Sequence, residues 1–112
     1  MTIKARKYLS DIFYSIGMIE DFVSGISTFR AYSKDHKTKA AVERYLSIIG
    51  EAVSKFSIEN QGGTQLVNTP QIISFRNRLV HEYDAIDDAI VWAAVKKELP
   101  KLKIEVNSIL AS

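Results

Sequence analysis

Cysteine is absent from this chain of 112 residues, and its acidic and basic residues nearly balance. Without cysteine the protein can form no disulfide, no thiolate nucleophile and no cysteine-based zinc site. The lack of cysteine also fits a reducing compartment. The formal net charge of +2 is too small to indicate a nucleic-acid binder by itself, but it leaves room for a local basic cleft.

The sequence also lacks a long uninterrupted apolar run. The best candidate is residues 9–26, which Asp11, Glu20 and Asp21 interrupt. The basic residues that follow Met1 are therefore not succeeded by the apolar core of a signal peptide, and no membrane span is predicted. We expect the protein to act in the cytoplasm.

Helical periodicity is present in most of the chain. Apolar residues recur at steps of three and four, which is typical of one stripe of an amphipathic helix. The first stripe consists of Leu9, Ile12, Phe13, Ile16, Ile19, Phe22, Val23 and Ile26, and the second of Val42, Tyr45, Leu46, Ile49, Ala52, Val53 and Phe56. No segment alternates as a strand would. We predict an all-α, up-and-down bundle of four to five helices in a single domain over residues 1–112.

Two polar segments are predicted as connections. Residues 28–39 have room for a short helical turn, and residues 57–69 contain the glycine and asparagine residues typical of loops. Thr69 followed by Pro70 is typical of a helix start, with the threonine hydroxyl as N-cap and proline at the first helical position.

The boundaries of the last helices are predicted from their polar residues and proline. The helix that begins near Thr69 is expected to end near Tyr83. Asp84 is expected to be the N-cap of the next helix, with further aspartates in its first turn. Pro100 is predicted to end or kink that helix, or to open a last one.

The stretch 76–83, Arg-Asn-Arg-Leu-Val-His-Glu-Tyr, concentrates side chains that can handle phosphate and protons. On a helix Asn77 and His81 lie one above the other, whereas Arg76 and His81 lie about 140° apart around the axis. Arginine can hold a phosphate with two parallel hydrogen bonds and stabilise developing charge. Histidine can move the proton of a ribose 2′-hydroxyl or of a leaving 5′-oxygen. The set therefore suits phosphodiester cleavage by a route that requires no metal.

Ordinary structural roles also explain these residues. A histidine near the end of a helix, such as His81, commonly compensates the helix dipole. The two arginines could be exposed charges paired with Glu82 or Asp84. Tyr83 could be an amphipathic residue at the edge of the core.

The pattern Arg76-x4-His81-x-Tyr83, with Asn77 directly after the arginine, resembles the signature of the HEPN superfamily. The resemblance is strongest to its HepT-like branch of toxin–antitoxin ribonucleases. It extends in order through most of the chain, by way of Leu9-Ser-Asp11-Ile, Ala41-Val42-Glu43-Arg44-Tyr45-Leu46, Gly50-Glu51-Ala52, Val91-Trp92 and Leu99-Pro100.

The resemblance implies an all-α bundle that forms a symmetric homodimer, with assembly beyond the dimer left open. The Arg-His motifs of both subunits would meet at a cleft where tRNA or mRNA is cut without metal or cofactor. It also implies a minimal nucleotidyltransferase as the antitoxin partner. In this family pattern Arg76 and His81 are catalytic and Asn77 supports them, while Tyr83 is the candidate site of AMPylation.

Three carboxylates, Asp11, Glu43 and Glu51, also match polar positions of the family pattern, and their roles stay open. A second hypothesis is a non-catalytic subunit that docks onto a nucleotidyltransferase and helps it hold nucleotide or substrate. Arg76 and Arg78 would then form a phosphate-binding patch. Toxicity on expression distinguishes the two, because only a ribonuclease toxin should slow growth.

Overall fold

The computed structural model describes residues 1–112 apart from the side chain of Tyr83. Its α-helices are α1 (Ile3–Phe22), α2 (Phe29–Lys34), α3 (His36–Glu59), α4 (Thr69–His81), α5 (Asp88–Ala93) and α6 (Leu99–Ala111). Because α5 continues through a π turn, Ala94–Glu98, directly into α6, the described residues form five continuous α-helical segments. No strand occurs among the described residues, and the prediction of an all-α bundle is confirmed.

The predicted apolar stripes form the core. α3 packs against α1 on one side and α4 on another, and α6 packs against α1. The fully buried side chains are Ala5, Leu9, Ile12, Ile16, Ile19, Tyr32, Val42, Val53, Phe56, Val91 and Val106. Burying each large apolar side chain stabilises the fold by roughly 1.5–3 kcal/mol, so the stripes fix which face of each helix turns inward. Within the described part of the chain, no helix has the length and apolarity needed to cross a bilayer.

Polar caps start the first three helices. Thr2 and Thr28 accept backbone hydrogen bonds from Ala5 and Ala31, which satisfies amide groups that a helix start leaves unpaired. Asp35 caps α3 by accepting from the backbone and the hydroxyl of Thr38, and these bonds lower the pKa of the Asp35 carboxyl. Residues 28–39, predicted as a connection with a short helical turn, therefore contain all of α2 and the start of α3.

The predicted N-cap of α4 is wrong by one residue. The cap position is Asn68, whose side chain makes no capping bond, and Thr69 is the first helical residue. The Thr69 hydroxyl instead donates to the carbonyl of Leu66 at 2.7 Å, because that buried residue turns its carbonyl toward the helix start. Pro70 lies in the first turn of α4 as predicted.

The predicted N-cap of the following helix is also wrong. α4 ends at His81, and Asp84 lies in the short 3₁₀ turn Tyr83–Ala85. Asp87 caps α5 instead, because its carboxylate accepts from the Ala89 amide at 2.8 Å.

Pro100 lies in the first turn of α6, one of the alternatives predicted for it. A proline inside a continuous α-helix has no N–H to donate and crowds the carbonyl of the preceding turn. The π turn Ala94–Glu98 directly precedes it, and the Leu99 amide donates to Ala94, five residues back. The wider turn lets the helix pass the proline without ending.

Candidate active site on the fourth helix

Close contact between α3 and α4 fixes the backbone position of Arg76. A Cβ atom built at Gly50 on α3 would lie 2.2 Å from the Cβ and 2.5 Å from the Cγ of Arg76. Any side chain at position 50 would therefore collide with α4. Glycine allows the two helices to meet at the first residue of the motif.

The guanidinium group of Arg76 is held by two polar neighbours. Its Nη2 atom lies 3.0 Å from a carboxylate oxygen of Glu51, and its Nη1 donates to the Asn77 side-chain oxygen at 3.2 Å. The Nε atom is buried and has no hydrogen-bond partner among the described residues. With 29% of its side chain exposed, Arg76 is oriented by the protein and still reaches solvent.

His81 lies in the last turn of α4 and is exposed. It follows Arg76 by five residues, which corresponds to about 7.5 Å along the helix axis and about 140° around it. The side chain is exposed and forms no hydrogen bond or ion pair with the other described side chains. The structure thus joins Arg76 to Asn77 by a hydrogen bond, and His81 follows Asn77 one turn later on the same face of α4.

The remaining motif residues have simpler surroundings. Arg78 lies 3.7 Å from a carboxylate oxygen of Glu82, both side chains being more than half exposed. The alternative in which an arginine pairs with Glu82 is therefore confirmed for Arg78, whereas Arg76 pairs with α3. The side chain of Tyr83, the predicted modification site, lies outside the described residues.

Glu51 is the site residue whose role could not be assigned from the sequence alone. It lies beside Arg76 on the wall of a groove between α1 and α3, with a volume of about 630 Å³. Asp11 lines the same groove and pairs with Lys7 at 2.8 Å. The available signal was Gly50, because a helical glycine marks close helix packing and Glu51 follows it directly.

Glu43 belongs to a second polar cluster instead. Burial raises the pKa of the Glu43 carboxyl, the nearby Asp88 raises it further, and Lys39 opposes the change. Lys39 and Asp88 form an ion pair of 2.9 Å, which joins α3 to α5. Throughout the described chain, no group of three or more histidine, aspartate or glutamate side chains is arranged to hold a metal ion.

The second cluster rests on an aromatic pair, one ring fully buried and the other partly buried. Tyr32 on α2 stacks on Trp92 on α5 with ring centroids 5.0 Å apart. Its hydroxyl is buried without a hydrogen-bond partner among the described residues. Burial, with smaller contributions from Glu43 and Asp88, raises the pKa of Tyr32 strongly. This pair holds α5, which follows the motif, against α2.

Comparison with known proteins places these features in a family. The model of the ribonuclease HepT-like family matches residues 12–109, which include the motif 76–83 and Glu51. The chain belongs to the HepT-like ribonuclease family. Asp11 lies one residue before the matched region of this HepT-like chain.

Several curated proteins are similar to the chain over nearly their full lengths. A candidate RNase of Caldanaerobacter subterraneus subsp. tengcongensis is 35% identical over 105 residues, which cover 94% of the chain and 93% of that protein. A candidate ribonuclease HepT of Thermococcus cleftensis is 34% identical over 88% of both chains. A candidate RNase of Methanocaldococcus jannaschii is 33% identical over 93% of the chain and 94% of that protein. No solved structure matches the chain significantly.

Proposed function

We propose that this HepT-like protein is a metal-independent endoribonuclease and the toxin of a toxin–antitoxin pair, acting on tRNA or mRNA in the cytoplasm. The observation that carries the proposal is the fixed, partly exposed guanidinium of Arg76 on the same helix as the exposed imidazole of His81. Family membership and the RNase names of the relatives support it.

Each motif residue has a distinct task in the proposed reaction. Arg76 binds the non-bridging oxygens of the scissile phosphate and stabilises the negative charge that develops on them. Neutral His81 accepts the proton of the adjacent ribose 2′-hydroxyl as that oxygen attacks phosphorus. The bond to the 5′-oxygen breaks, and the products carry a 2′,3′-cyclic phosphate and a 5′-hydroxyl. Asn77 supports Arg76 by accepting a hydrogen bond from it.

A homodimer would supply the second catalytic histidine that one copy lacks. The leaving 5′-oxygen needs an acid while His81 is acting as the base, and one chain offers no second histidine in the motif. In a symmetric dimer with the two α4 helices facing one cleft, the partner copy would present a second imidazole and a second guanidinium. We propose that the composite site, formed by two copies of the single domain 1–112, is the active form.

A minimal nucleotidyltransferase is the proposed antitoxin, and Tyr83 its target. Transfer of AMP from ATP to the Tyr83 hydroxyl, with loss of the phenolic proton and release of pyrophosphate, would place a phosphodiester two residues from His81. That group would add negative charge and bulk where the phosphate of RNA must bind. Modification at this position would therefore block substrate rather than unfold the protein.

The chain offers a matched control for the decisive experiment. Purified protein is incubated with total tRNA in EDTA, and cleavage is compared with His81→Ala and with His36→Ala, the exposed second histidine at the start of α3. We expect cleavage by the wild type and by His36→Ala but not by His81→Ala. Cleavage by His81→Ala at the wild-type level, or none by the wild type, would refute the proposal.

Expression in cells tests the antitoxin separately. Wild-type protein should slow growth unless the nucleotidyltransferase is co-expressed, and Arg76→Ala should be harmless alone. If wild-type expression is harmless, the non-catalytic docking role is favoured. If Tyr83→Phe is neutralised as well as wild type, AMPylation of Tyr83 is not the switch.

A further inference from the structure

The residues that line the groove between α1 and α3 have an excess of positive charge. Four cationic side chains and two carboxylates line it, which gives a formal +2, equal to the net charge of the entire chain. Both carboxylates are engaged by lining cations, since Asp11 pairs with Lys7, and Glu51 with Arg76 and Lys55. The fourth cation, Arg44, forms no ion pair with the described residues. The excess positive charge is therefore open toward the groove.

Aromatic rings are concentrated in the same place. Three of the five tyrosines of the chain, Tyr8, Tyr14 and Tyr45, line the groove. Tyr14 is 62% exposed, and Tyr8 and Tyr45 are half-buried. An exposed ring among cations is the arrangement with which proteins hold single-stranded nucleic acid, the bases stacking on the ring and the phosphates meeting the cations.

We propose that this groove binds the single-stranded segment of RNA next to the scissile phosphate. The inference rests on the proposed ribonuclease activity, because Arg76 is both the phosphate-binding residue of that reaction and one end of the groove. Tyr14 provides the stacking surface for a base. Arg44 and Lys55 meet the phosphates that follow, from the face of α3 that also carries Glu51.

A second copy of the chain fits the groove less well. In a two-fold dimer that used this surface, the groove would face its own copy, so two positive grooves would be brought together. Its lining is polar and charged, whereas the cores of stable dimer interfaces are depleted in charged residues. RNA supplies the opposite charge and the flat bases that the lining matches.

Binding to a non-cleavable RNA separates this proposal from the nuclease reaction. The probe is a fluorescent 2′-O-methyl oligouridylate, and affinity is measured by anisotropy over a salt series with the chain of residues 1–112. Tyr14→Ala should weaken binding about 10-fold, because one base can no longer stack. Arg44→Gln combined with Lys55→Gln should reduce the salt slope by about 0.7 for each phosphate that no longer meets a cation.

Matched substitutions outside the groove serve as controls. Phe29→Ala removes another exposed ring, and Lys34→Gln combined with Lys101→Gln removes two exposed cations. Both controls should bind as the wild type does. Circular dichroism confirms folding, which substitutions at exposed positions should preserve.

Three results would overturn the groove proposal. They are no binding of the probe by wild type, groove variants that bind like the controls, and a change of oligomeric state that accompanies weaker binding. Cleavage of tRNA is measured in parallel, and groove variants should raise KM with kcat nearly unchanged. Binding of the probe in the groove without cleavage of tRNA by wild type would refute the nuclease reaction alone. Cleavage by the groove variants with an unchanged KM would refute the groove proposal alone.

Discussion

Replacing Gly50 with alanine tests whether contact between α3 and α4 positions the site. The new Cβ would lie 2.2 Å from the Arg76 Cβ, and ordinary contacts begin near 3.4 Å, so the two atoms must separate by about 1.2 Å. The Arg76 Cβ is bonded directly to the backbone, and no side-chain rotation can move it away. The α4 backbone itself must shift relative to α3.

The magnitude follows from comparison with a second glycine. Gly17 lies inside α1, and a Cβ there would have nothing within 4 Å. Both substitutions gain about 1 kcal/mol of helix propensity, so their difference isolates the collision. Overpacking costs about 1–3 kcal/mol. We therefore expect Gly17→Ala to stabilise the protein and Gly50→Ala to be less stable than Gly17→Ala by about 1–3 kcal/mol.

Urea denaturation measures the stability difference, and tRNA cleavage measures its effect on the site. A displacement of about 1 Å at a catalytic group can lower the rate on the order of 100-fold, so Gly50→Ala should lose most activity while still folded. Gly17→Ala should keep it. Equal stability of the two variants, together with full activity of Gly50→Ala, would refute the idea that this contact positions Arg76.

Three further substitutions are expected to change the stability of the protein, two of them by raising it and one by lowering it slightly. Tyr32→Phe keeps the stacked ring and removes a buried hydroxyl without a partner, so it should raise the free energy of unfolding by about 1 kcal/mol; a decrease in urea denaturation would contradict this. The pKa of Glu43 is raised above its ordinary value of 4.5 in the folded state, so wild type should lose stability as pH rises from that value through the raised pKa. The stability of Glu43→Gln should depend less on pH in this range than that of wild type, and the variant should be more stable at neutral pH. Thermal midpoints of the two proteins that change in parallel with pH would contradict this. Glu51→Gln removes two partly exposed ion pairs, with Arg76 and with Lys55, so it should cost about 1 kcal/mol of stability or less but reduce cleavage by releasing Arg76. Unchanged cleavage would show that Glu51 does not orient the guanidinium.

The long helices could be predicted because their apolar stripes are also their buried faces. Leu9, Ile12 and Ile16 are spaced for one side of a helix, and the same side packs against α3. The caps of α4 and α5 could not be predicted as well, because several polar residues stand near each start. Contacts made after folding, such as that of Thr69 with the Leu66 carbonyl, decide which of them is the cap.

The candidate site, too, could be predicted only in part from the sequence. Arg76, Asn77 and His81 could be chosen from their chemistry and spacing within one segment. Their partner Glu51 could not, because it lies on another helix and the relative register of α3 and α4 is set by packing. The groove could not be predicted for the same reason, since Tyr14 and Arg44 are thirty residues apart and line one groove only when α1 and α3 pack together.

The π turn Ala94–Glu98 has a consequence for alignment across the bundle. Val91, Val95 and Leu99 are all buried, although two successive steps of four residues would drift about 80° around a regular α-helix. The wider winding cancels that drift, so α6 leaves the turn with its apolar face still in phase with that of α5. Because α6 packs against α1, this continuous face lets Leu102 and Val106 of α6 join the same core as Val91 and Val95. A turn wound one residue wider thus lets one helix contain a proline and still bury a single apolar face.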